Sequence, residues 1–415
     1  MTTPSAQTDR YVHDRLPPRE QWPEFRYDLP ELQVPDQTNV VTALFDAARA
    51  NGWANRLLLR APGETYTYAE AEAQVGRMAE MLIKDFKLEP GNRVLLRGGN
   101  SIGMALAWLA VVKAGLIVVP TMPLLRAVEL DKVIDKAQPA LALCEVALLK
   151  DMVQAAQDAK GKLPVIAFGD PKRADGVEQR AARRSPDYAG CATAADDIAL
   201  LAFTSGTTGV PKAVVTTHRD ILAACNAWPR HVLKMTPDDI VTGSPPLAFT
   251  FGTGGLLIYP MWAGASVYYP DVRFSPETMV RKMRDNGITV CYTAPTFYRQ
   301  MAPYAQALGI PSLRICVSAG EALPDATRQL WKQATGIEML DGIGGTEMWH
   351  IYISSAGAEV RAGTIGKVVP GYQAKVVDEN DQEVPRGTVG RLAVIGPTGC
   401  RYMDDERQTK YVSNG

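Results

Sequence analysis

The stretch that decides the fold is Thr204–Lys212, which reads TSGTTGVPK. Its two glycines let the backbone turn sharply and bring N–H groups close to an anion, while its hydroxyls and lysine add donors and a positive charge. The flanking runs Ile198–Phe203 and Ala213–Thr217 have the composition of β-strands. The sequence therefore predicts a phosphate-binding loop between two strands, with the candidate ligands Thr204, Ser205, Gly206, Thr207, Thr208, Gly209 and Lys212.

This loop does not follow the Walker pattern, in which a glycine, four residues and then Gly-Lys-Ser/Thr open a helix. Counted from Gly206, Pro211 stands where the second glycine is required, and Ala213 follows the lysine. A flexible hairpin rich in serine, threonine and glycine is the alternative interpretation. The density of hydrogen-bond donors favours a phosphate site of another geometry.

Helix and strand patterns alternate on both sides of the loop. Arg93–Arg97 reads as a strand and Met104–Ala114 as a helix, and after Asp197 the alternation resumes with helices such as Pro276–Asp285. Such alternation predicts an α/β fold with parallel sheets. Because 415 residues exceed one core, we expect two similar αβ subdomains packed together plus a small antiparallel β-barrel-like subdomain. The predicted division is 1–39 (an extended N-terminal arm), 40–190, 191–350 and 351–415.

Composition excludes several classes of protein. With 44 basic and 45 acidic residues, the chain has no broad positive field for nucleic acid or an anionic membrane. Its six cysteines form no CxxC pair, which argues against a zinc site or a disulfide framework and fits a reducing cytoplasm. The apolar run from Met104 to Pro120 is interrupted by Lys113 and Gly115, so it predicts a buried helix, a turn and a strand. A homodimer is compatible with the sequence.

Two further glycine-containing segments carry candidate site residues. Ser318–Pro324 (SAGEALP) ends a predicted strand and opens a helix, the position where α/β folds bind ligands. Asp341–Glu347 (DGIGGTE) places a carboxylate after a glycine-rich turn. Such a carboxylate suits Mg²⁺ that is otherwise held by phosphate oxygens. Taken alone, Glu347 fits a solvated surface charge equally well.

In this order, the three segments resemble the motifs of adenylate-forming enzymes: acyl-CoA synthetases, adenylation domains of nonribosomal peptide synthetases and beetle luciferases. The resemblance covers the chain from about Thr42. It implies that the loop wraps the triphosphate of ATP, that Glu347 holds Mg²⁺ and that Thr346 contacts the α-phosphate. The implied catalytic residues are Thr346, Glu347 and Lys212. The other implied nucleotide-binding residues are Ala319, Gly320, Glu321, Asp341, Gly342 and Ile343.

The acid substrate is indicated by Pro246–Gly252 (PLAFTFG) and Glu347–Tyr352 (EMWHIY). The first segment has neither the aspartate of amino-acid-activating domains nor the histidine usual in fatty-acyl ligases. Both segments resemble aryl-CoA ligases of the benzoate type, most of all 2-aminobenzoate–CoA ligases, and benzoate and hydroxybenzoates remain open. Ordinary core packing is the competing interpretation of these residues. The resemblance implies a flat aromatic pocket lined by Thr250, Phe251, Gly252, Gly344, His350 and Ile351.

The resemblance implies two half-reactions: formation of an aryl-adenylate from the acid and ATP with Mg²⁺, then transfer to coenzyme A. A catalytically silent nucleotide-binding protein and a regulatory scaffold are the alternatives. In the family, three further elements follow these motifs: a Gly-Asp pair that holds the ribose, a hinge, and a C-terminal domain that carries a lysine. This sequence ends at Gly415. We therefore expect a large-domain fragment, engineered rather than natural, with slow adenylation and little thioester formation.

Overall fold

The computed structural model describes residues 3–159, 163–204, 211–271, 275–413 and 415. The middle of the phosphate loop (Ser205, Gly206, Thr207, Thr208 and Gly209) lies outside the described residues, so its contacts remain predictions. The strands are β1 (Leu57–Ala61), β2 (Glu64–Thr67), β3 (Arg93–Arg97), β4 (Ile117–Thr121), β5 (Leu141–Glu145), β6 (Val165–Phe168), β7 (Ile198–Thr204), β8 (Lys212–Thr217), β9 (Ile240–Gly243), β10 (Ser266–Tyr268), β11 (Val290–Thr293), β12 (Ile315–Ser318), β13 (Leu340–Gly344), β14 (Ile351–Ser354), β15 (Lys367–Val368), β16 (Gln373–Val377) and β17 (Arg391–Ile395).

The helices begin and end at residues that favour helix termini. For example, Ser275 caps the N-terminus of one helix, and the next one ends before Gly309, whose φ is +67°. The helices are α1 (Val40–Ala50), α2 (Tyr68–Asp85), α3 (Ile102–Lys113), α4 (Ala127–Ala137), α5 (Leu149–Asp158), α6 (Val177–Ala181), α7 (His218–Asn226), α8 (Thr250–Thr253), α9 (Tyr259–Ala263), α10 (Pro276–Asp285), α11 (Pro295–Leu308), α12 (Asp325–Thr335) and α13 (Gln408–Tyr411).

Two large sheets confirm the predicted α/β class. The first has six strands in the order β6-β5-β3-β4-β7-β8, all parallel except for the antiparallel pair β7–β8. The second has the order β15-β14-β13-β12-β11-β9-β10-β1-β2, with a parallel centre and antiparallel edges. The central strands β3 and β4 are buried along their whole length, as expected of sheets covered on both faces.

The sheets exchange strands across the predicted boundary at residue 190. The pair β7–β8 joins the first sheet through β4, and the pair β1–β2 joins the second sheet through β10. The C-terminal strands also divide: β14 and β15 extend the second sheet, whereas β16 and β17 form a separate antiparallel ribbon of two strands rather than a barrel. These pairings satisfy backbone groups through contacts distant in sequence, which local patterns do not encode.

Helix α3 lies in the largest hydrophobic core, which includes residues from both large sheets. Nearly every residue of α3 is buried, because it is apolar around its whole circumference. The chain then turns at Gly115, with a φ of +76°, and enters β4, which confirms the predicted helix, turn and strand. In the described part of the chain, no helix is long and apolar enough to cross a membrane.

The N-terminal arm, residues 3–39, has only short 3₁₀ turns, such as Arg19–Gln21. Its first part lies on the first sheet, where Gln7 bonds to both backbone groups of Ile198. Its second part runs beside the C-terminal segment, where the N–H of Arg26 donates to the carbonyl of Gly396 at 3.0 Å. The arm thus connects the first sheet to the chain that follows β17.

Candidate active site

Two pairs of neighbouring strands carry predicted nucleotide residues near their ends. Thr204, at the end of β7, lies opposite Lys212, at the start of β8. Ser318, at the end of β12, lies opposite Asp341 of β13. The hydroxyl of Thr204 is buried and has no hydrogen-bond partner among the described residues, so it retains a donor for a ligand.

Lys212, Glu347 and Tyr402 form one hydrogen-bonded set, the lysine–glutamate–tyrosine group. The Lys212 ammonium is 2.8 Å from the Tyr402 hydroxyl and 3.2 Å from Oε1 of Glu347. The Tyr402 hydroxyl donates to that same oxygen. The Lys212 ammonium also lies 4.3 Å from the centre of the Tyr411 ring. The predicted lysine and glutamate are therefore neighbours, joined by a tyrosine that the sequence did not reveal.

Tyr402 reaches this position because its segment extends the first sheet. An antiparallel bridge pairs it with Val214 of β8. Burial, the nearby Cys400 and the Glu347 carboxylate all raise the pKa of the Tyr402 phenol far above its usual range. The phenol therefore stays protonated and serves as a hydrogen-bond donor to Glu347.

A cleft of about 560 Å³ lies at the ends of β12 and β13. Pockets of roughly 300–1,000 Å³ hold small molecules. Predicted nucleotide residues form much of its wall, while Ala319 is buried and absent from its lining. Gly344, predicted for the acid pocket, also lines this cleft. The lining is Gly320, Glu321, Ala322, Leu323, Asp325, Arg328, Asp341, Gly342, Ile343, Gly344, Gly363, Thr364 and Ile365.

Four charged side chains line the cleft: Glu321, Asp325, Asp341 and Arg328 of α12. No sequence motif indicated Arg328. Burial raises the pKa of Asp341, while the Gly342 backbone and Arg328 oppose that shift. The Nε atom of Arg328 is buried, makes no hydrogen bond within the described residues and lies 3.7 Å from the Glu338 carboxylate. Because Arg328 lines the cleft, it is a further candidate for contact with a polar ligand.

A strained turn separates the nucleotide residues from the acid residues. Thr346 and Glu347 lie in a 3₁₀ turn, and Trp349 follows with a φ of +68°. Such a conformation costs a non-glycine residue about 1–3 kcal/mol. After the turn, His350 enters the interior and Ile351 begins β14. Glu347 and His350 thus face different surroundings although they are three residues apart.

His350 lies in a cluster of rings, the aromatic cluster, with Trp228, Phe251, Tyr259 and Tyr292. Its ring centroid is 4.7 Å from that of Tyr259, 5.2 Å from that of Trp228 and 5.5 Å from that of Phe251. Tyr292 meets Phe251 edge-on at 5.8 Å. These spacings are those of favourable aromatic pairs. The structure therefore places the predicted Phe251 and His350 together.

The cluster is buried, neutral and rich in unpaired polar atoms. Burial lowers the pKa of His350 to about 3, and the nearby Phe251 backbone opposes the shift only in part. Burial also raises the pKa of Tyr259 and Tyr292 far above their usual range. Both nitrogens of His350, both phenol oxygens and the Trp228 indole nitrogen have no hydrogen-bond partner among the described residues. Unpaired buried polar atoms at this density are unusual and mark a candidate binding surface.

Local backbone features let these rings approach one another. A π-helical turn, Pro229–Leu233, follows Trp228, and a second one, Gly254–Ile258, precedes Tyr259. Such turns are rare and frequently occur at functional sites. A Cβ atom on Gly254 would lie 2.6 Å from the His350 ring, so only glycine fits there without displacement.

The other predicted acid residues form the supporting backbone. Thr250 is buried, and Gly252 packs so closely that a Cβ atom would lie 2.0 Å from the Pro246 carbonyl oxygen. Ile351 is buried against Gly342, where a Cβ atom would lie 2.7 Å from its side chain. This contact links the acid residues to the wall of the nucleotide cleft.

The rest of the ring cluster was not predicted, because its members come from the segment after α7, from α9 and from β11, and no motif connects them. Trp228 lies at a helix end and Tyr292 in a buried strand, so each reads as ordinary core. The helical GTGG run at Gly252–Gly255 is the one sequence signal that indicates close ring contacts.

A magnesium ion is compatible with Glu347 as one ligand among substrate phosphates. No group of three or more His, Cys, Asp or Glu side chains gathers within the described ranges, so these residues provide no cage of their own. Mg²⁺ at nucleotide sites typically takes one or two carboxylates and completes its shell with phosphates and water. The Glu347 carboxylate, partly accessible beside Lys212, meets that requirement.

Three known proteins are similar to this chain over most of its length. A benzoate–CoA ligase from Thauera aromatica is 29% identical over 389 residues, which cover 92% of this chain and 73% of that protein. An anthranilate–CoA ligase from Pseudomonas aeruginosa is 28% identical, with 84% of this chain and 67% of that protein covered. The crystal structure of the anthranilate CoA ligase AuaEII in complex with anthranoyl-AMP superposes with a TM-score of 0.86 at 27% identity, covering 93% of this chain and 76% of that one.

The family assignment follows from the extent of the match. The family model described as AMP-binding enzyme matches residues 46–401, which contain the loop, the nucleotide cleft and the aromatic cluster. This chain therefore belongs to the family of AMP-binding enzymes.

Proposed function

We propose that this protein activates an aromatic carboxylic acid with ATP and transfers the acyl group to coenzyme A. The observation that carries the proposal is the strained turn at Trp349, which connects Glu347 of the lysine–glutamate–tyrosine group to His350 of the aromatic cluster. One short segment thus contributes to both ends of the proposed site, a charged end suited to phosphates and a neutral end suited to an aromatic ring.

In the first half-reaction, an oxygen of the aryl carboxylate attacks the α-phosphorus of ATP and pyrophosphate leaves. The protein contributes positioning and neutralisation of charge, as in phosphoryl transfer generally. Lys212 and the Thr204 hydroxyl supply a cation and a donor beside the predicted loop. Glu347 and Thr346 are the proposed contacts for Mg²⁺ and the α-phosphate, with Mg²⁺ neutralising phosphate charge when bound.

In the second half-reaction, the thiolate of coenzyme A attacks the acyl carbon of the adenylate and AMP leaves with the C–O bond electrons. Transfer is favourable because AMP is a good leaving group. The proposed acid site is the aromatic cluster with Thr250, Gly252 and Ile351. The proposed adenosine site is the cleft formed by β12 and β13.

Among aromatic acids, we propose 2-aminobenzoate as the substrate, with benzoate or a hydroxybenzoate as the alternative. The cluster holds neutral polar atoms without partners, and an uncharged amine or hydroxyl on the ring offers them hydrogen bonds. The similar proteins include ligases named for anthranilate, benzoate and 4-hydroxybenzoate.

Calorimetry tests the substrate class. 2-Aminobenzoate, benzoate and octanoate are each titrated into the protein, first without nucleotide and then with Mg²⁺ and the α,β-methylene analogue of ATP. This analogue cannot release pyrophosphate, because its α–β bridge is a methylene group. We expect the two aromatic acids to bind, more tightly with nucleotide present, and octanoate not to bind. Binding of nucleotide without binding of any aromatic acid would instead support the silent nucleotide-binding protein.

A further inference from the structure

A buried glutamine connects the N-terminal arm to the lysine–glutamate–tyrosine group. We propose that Gln408 is a positioning residue that fixes Tyr402 and thereby the Lys212 ammonium and the Glu347 carboxylate. The inference deepens the proposed function. Its test by pyrophosphate exchange rests on that function, whereas its test by MgATP binding does not require turnover.

The Gln408 side chain forms hydrogen bonds through both ends of its amide. The residue is 1% exposed. Its Oε1 atom accepts from the N–H of Tyr402 at 2.9 Å. Its Nε2 atom donates to the carbonyl of Cys400 at 3.1 Å and to the carbonyl of Gln21, in the arm, at 2.9 Å. One side chain therefore holds the segment around Tyr402 and the arm at once.

The geometry of the segment explains why this amide is required. Its inner edge pairs with β8, since the N–H of Met403 donates to Ala213 at 2.9 Å and the N–H of Val215 donates to Arg401 at 2.8 Å. Successive N–H groups of an extended chain point in opposite directions, so the N–H of Tyr402 faces away from β8. Gln408 supplies the acceptor that a further strand would otherwise provide. Without it, a buried N–H beside the catalytic lysine loses its partner.

The arm reinforces this connection at a second point. The N–H of Asp404 donates to the carbonyl of Arg15 at 2.9 Å, and the Arg15 side chain pairs with the Asp404 carboxylate at 3.3 Å. Arm residues 15–21 therefore lie along the segment that carries Tyr402. Displacement of that segment would shift the phenol that contacts both charged members of the group.

Gln7 provides a matched control in the same arm. It is 4% exposed, and its amide also bonds to backbone groups: Nε2 donates to the carbonyls of Ile198 at 2.7 Å and Gly115 at 3.3 Å, and Oε1 accepts from the N–H of Ile198 at 3.1 Å. Its Oε1 atom also lies 2.9 Å from Nε2 of His13, and none of these contacts involves Tyr402. A purely structural role predicts similar consequences for both glutamines.

The test compares Gln408→Met with Gln7→Met. The urea midpoint, the dissociation constant for MgATP by calorimetry, and kcat and KM for acid-dependent exchange of pyrophosphate into ATP are measured for each. We expect similar losses in the urea midpoint but weaker MgATP binding by about threefold only in Gln408→Met, with a KM for the aromatic acid within about twofold of the wild type. Gln408→Glu keeps the acceptor for Tyr402 and should recover part of the affinity.

Equal MgATP affinity in Gln408→Met and the wild type would overturn the inference, and so would an equal loss in Gln7→Met. If Gln408→Met does not fold, the MgATP affinities of Gln408→Glu and Gln7→Glu are compared instead, with a smaller expected difference. A wild-type protein that binds MgATP but exchanges no pyrophosphate with any aromatic acid contradicts the proposed function alone. The MgATP affinities then still decide the role of Gln408.

Discussion

At the nucleotide end of the site, Lys212, Glu347 and Tyr402 satisfy one another through hydrogen bonds, whereas at the acid end the rings around His350 leave their polar atoms unpaired. The first end is charged and holds its geometry before a ligand arrives. The second is neutral and buried, so it distinguishes ligands by ring shape and by absence of charge. The two ends should therefore respond to different perturbations, although Glu347 and His350 are close in sequence.

Removing the charge of Glu347 is expected to have the largest effect. In Glu347→Gln, the Lys212 ammonium loses its carboxylate partner and the proposed Mg²⁺ contact is lost, so pyrophosphate exchange should fall at least about 100-fold. Because the Lys212 side chain is only 10% exposed, the variant leaves a largely buried ammonium without its carboxylate, so the unfolding free energy should also fall, which urea unfolding measures.

The matched control is Glu359→Gln, an exposed carboxylate paired with Lys367 away from the group. It should exchange pyrophosphate at the wild-type rate. If Glu347→Gln behaves like this control, the nucleotide end is misassigned.

A charged ring substituent is expected to have the next largest effect, at the acid end. Phthalate carries a second carboxylate, which would lose its hydration among neutral side chains. We expect its kcat/KM in exchange to be about 100-fold or more below that of benzoate. 2-Aminobenzoate, with a neutral amine, serves as the control of similar size. Comparable rates for phthalate and benzoate would mean that the ring does not enter the aromatic cluster.

Replacing His350 should separate the two ends. In His350→Phe, the ring contacts with Trp228 and Tyr259 persist while both nitrogens are removed. We expect kcat/KM for 2-aminobenzoate to fall about tenfold, the worth of one hydrogen bond. Steady-state kinetics should show an unchanged KM for MgATP, and an equal rise in both KM values would show that the ends are not independent.

The Tyr402 hydroxyl should have a smaller effect, at the nucleotide end. Tyr402→Phe removes the donor to Glu347 and the acceptor of Lys212, and exchange should fall by roughly fivefold. Tyr411→Phe is the control, because the Tyr411 ring contacts Lys212 through its face. That face is kept, so this variant should match the wild type. Loss of activity in both variants would assign the effect to general packing.

Acid stability tests the neutral state of His350 through unfolding rather than through catalysis. Burial lowers the pKa of His350 to about 3, whereas the unfolded chain titrates near 6.5, so between these values the unfolded state binds more protons. Stability is full above pH 6.5 and falls as the pH decreases. Urea unfolding between pH 6 and 4 should therefore show a slope smaller by about 1.4 kcal/mol per pH unit in His350→Phe. Equal slopes would contradict a buried neutral imidazole.

The sequence predicted helices and strands well because their signals are local. The predicted bounds of Arg93–Arg97 and Pro276–Asp285 agree with the structure, since an apolar run defines the first and a proline at the first turn begins the second. The exchange of β1–β2 and β7–β8 between the sheets was not predictable in this way. Strand partners are selected by long-range packing, which short sequence patterns do not indicate.

The same distinction holds within the site. Lys212 and Glu347 were found because each lies in a contiguous motif, and the structure joins them directly. Tyr402 and Gln408 were missed because their roles depend on β8 and on the arm, far away in sequence. The rings that surround His350 likewise come from separate elements.

The exchange of labelled pyrophosphate into ATP tests the central claim most directly, since it reports reversal of acid activation without coenzyme A. With the protein and MgATP, label should enter ATP when 2-aminobenzoate or benzoate is added, and not with octanoate or without acid. The Glu347→Gln protein should show no such incorporation. Exchange that is absent with every aromatic acid, from a folded protein that binds MgATP, would contradict the account.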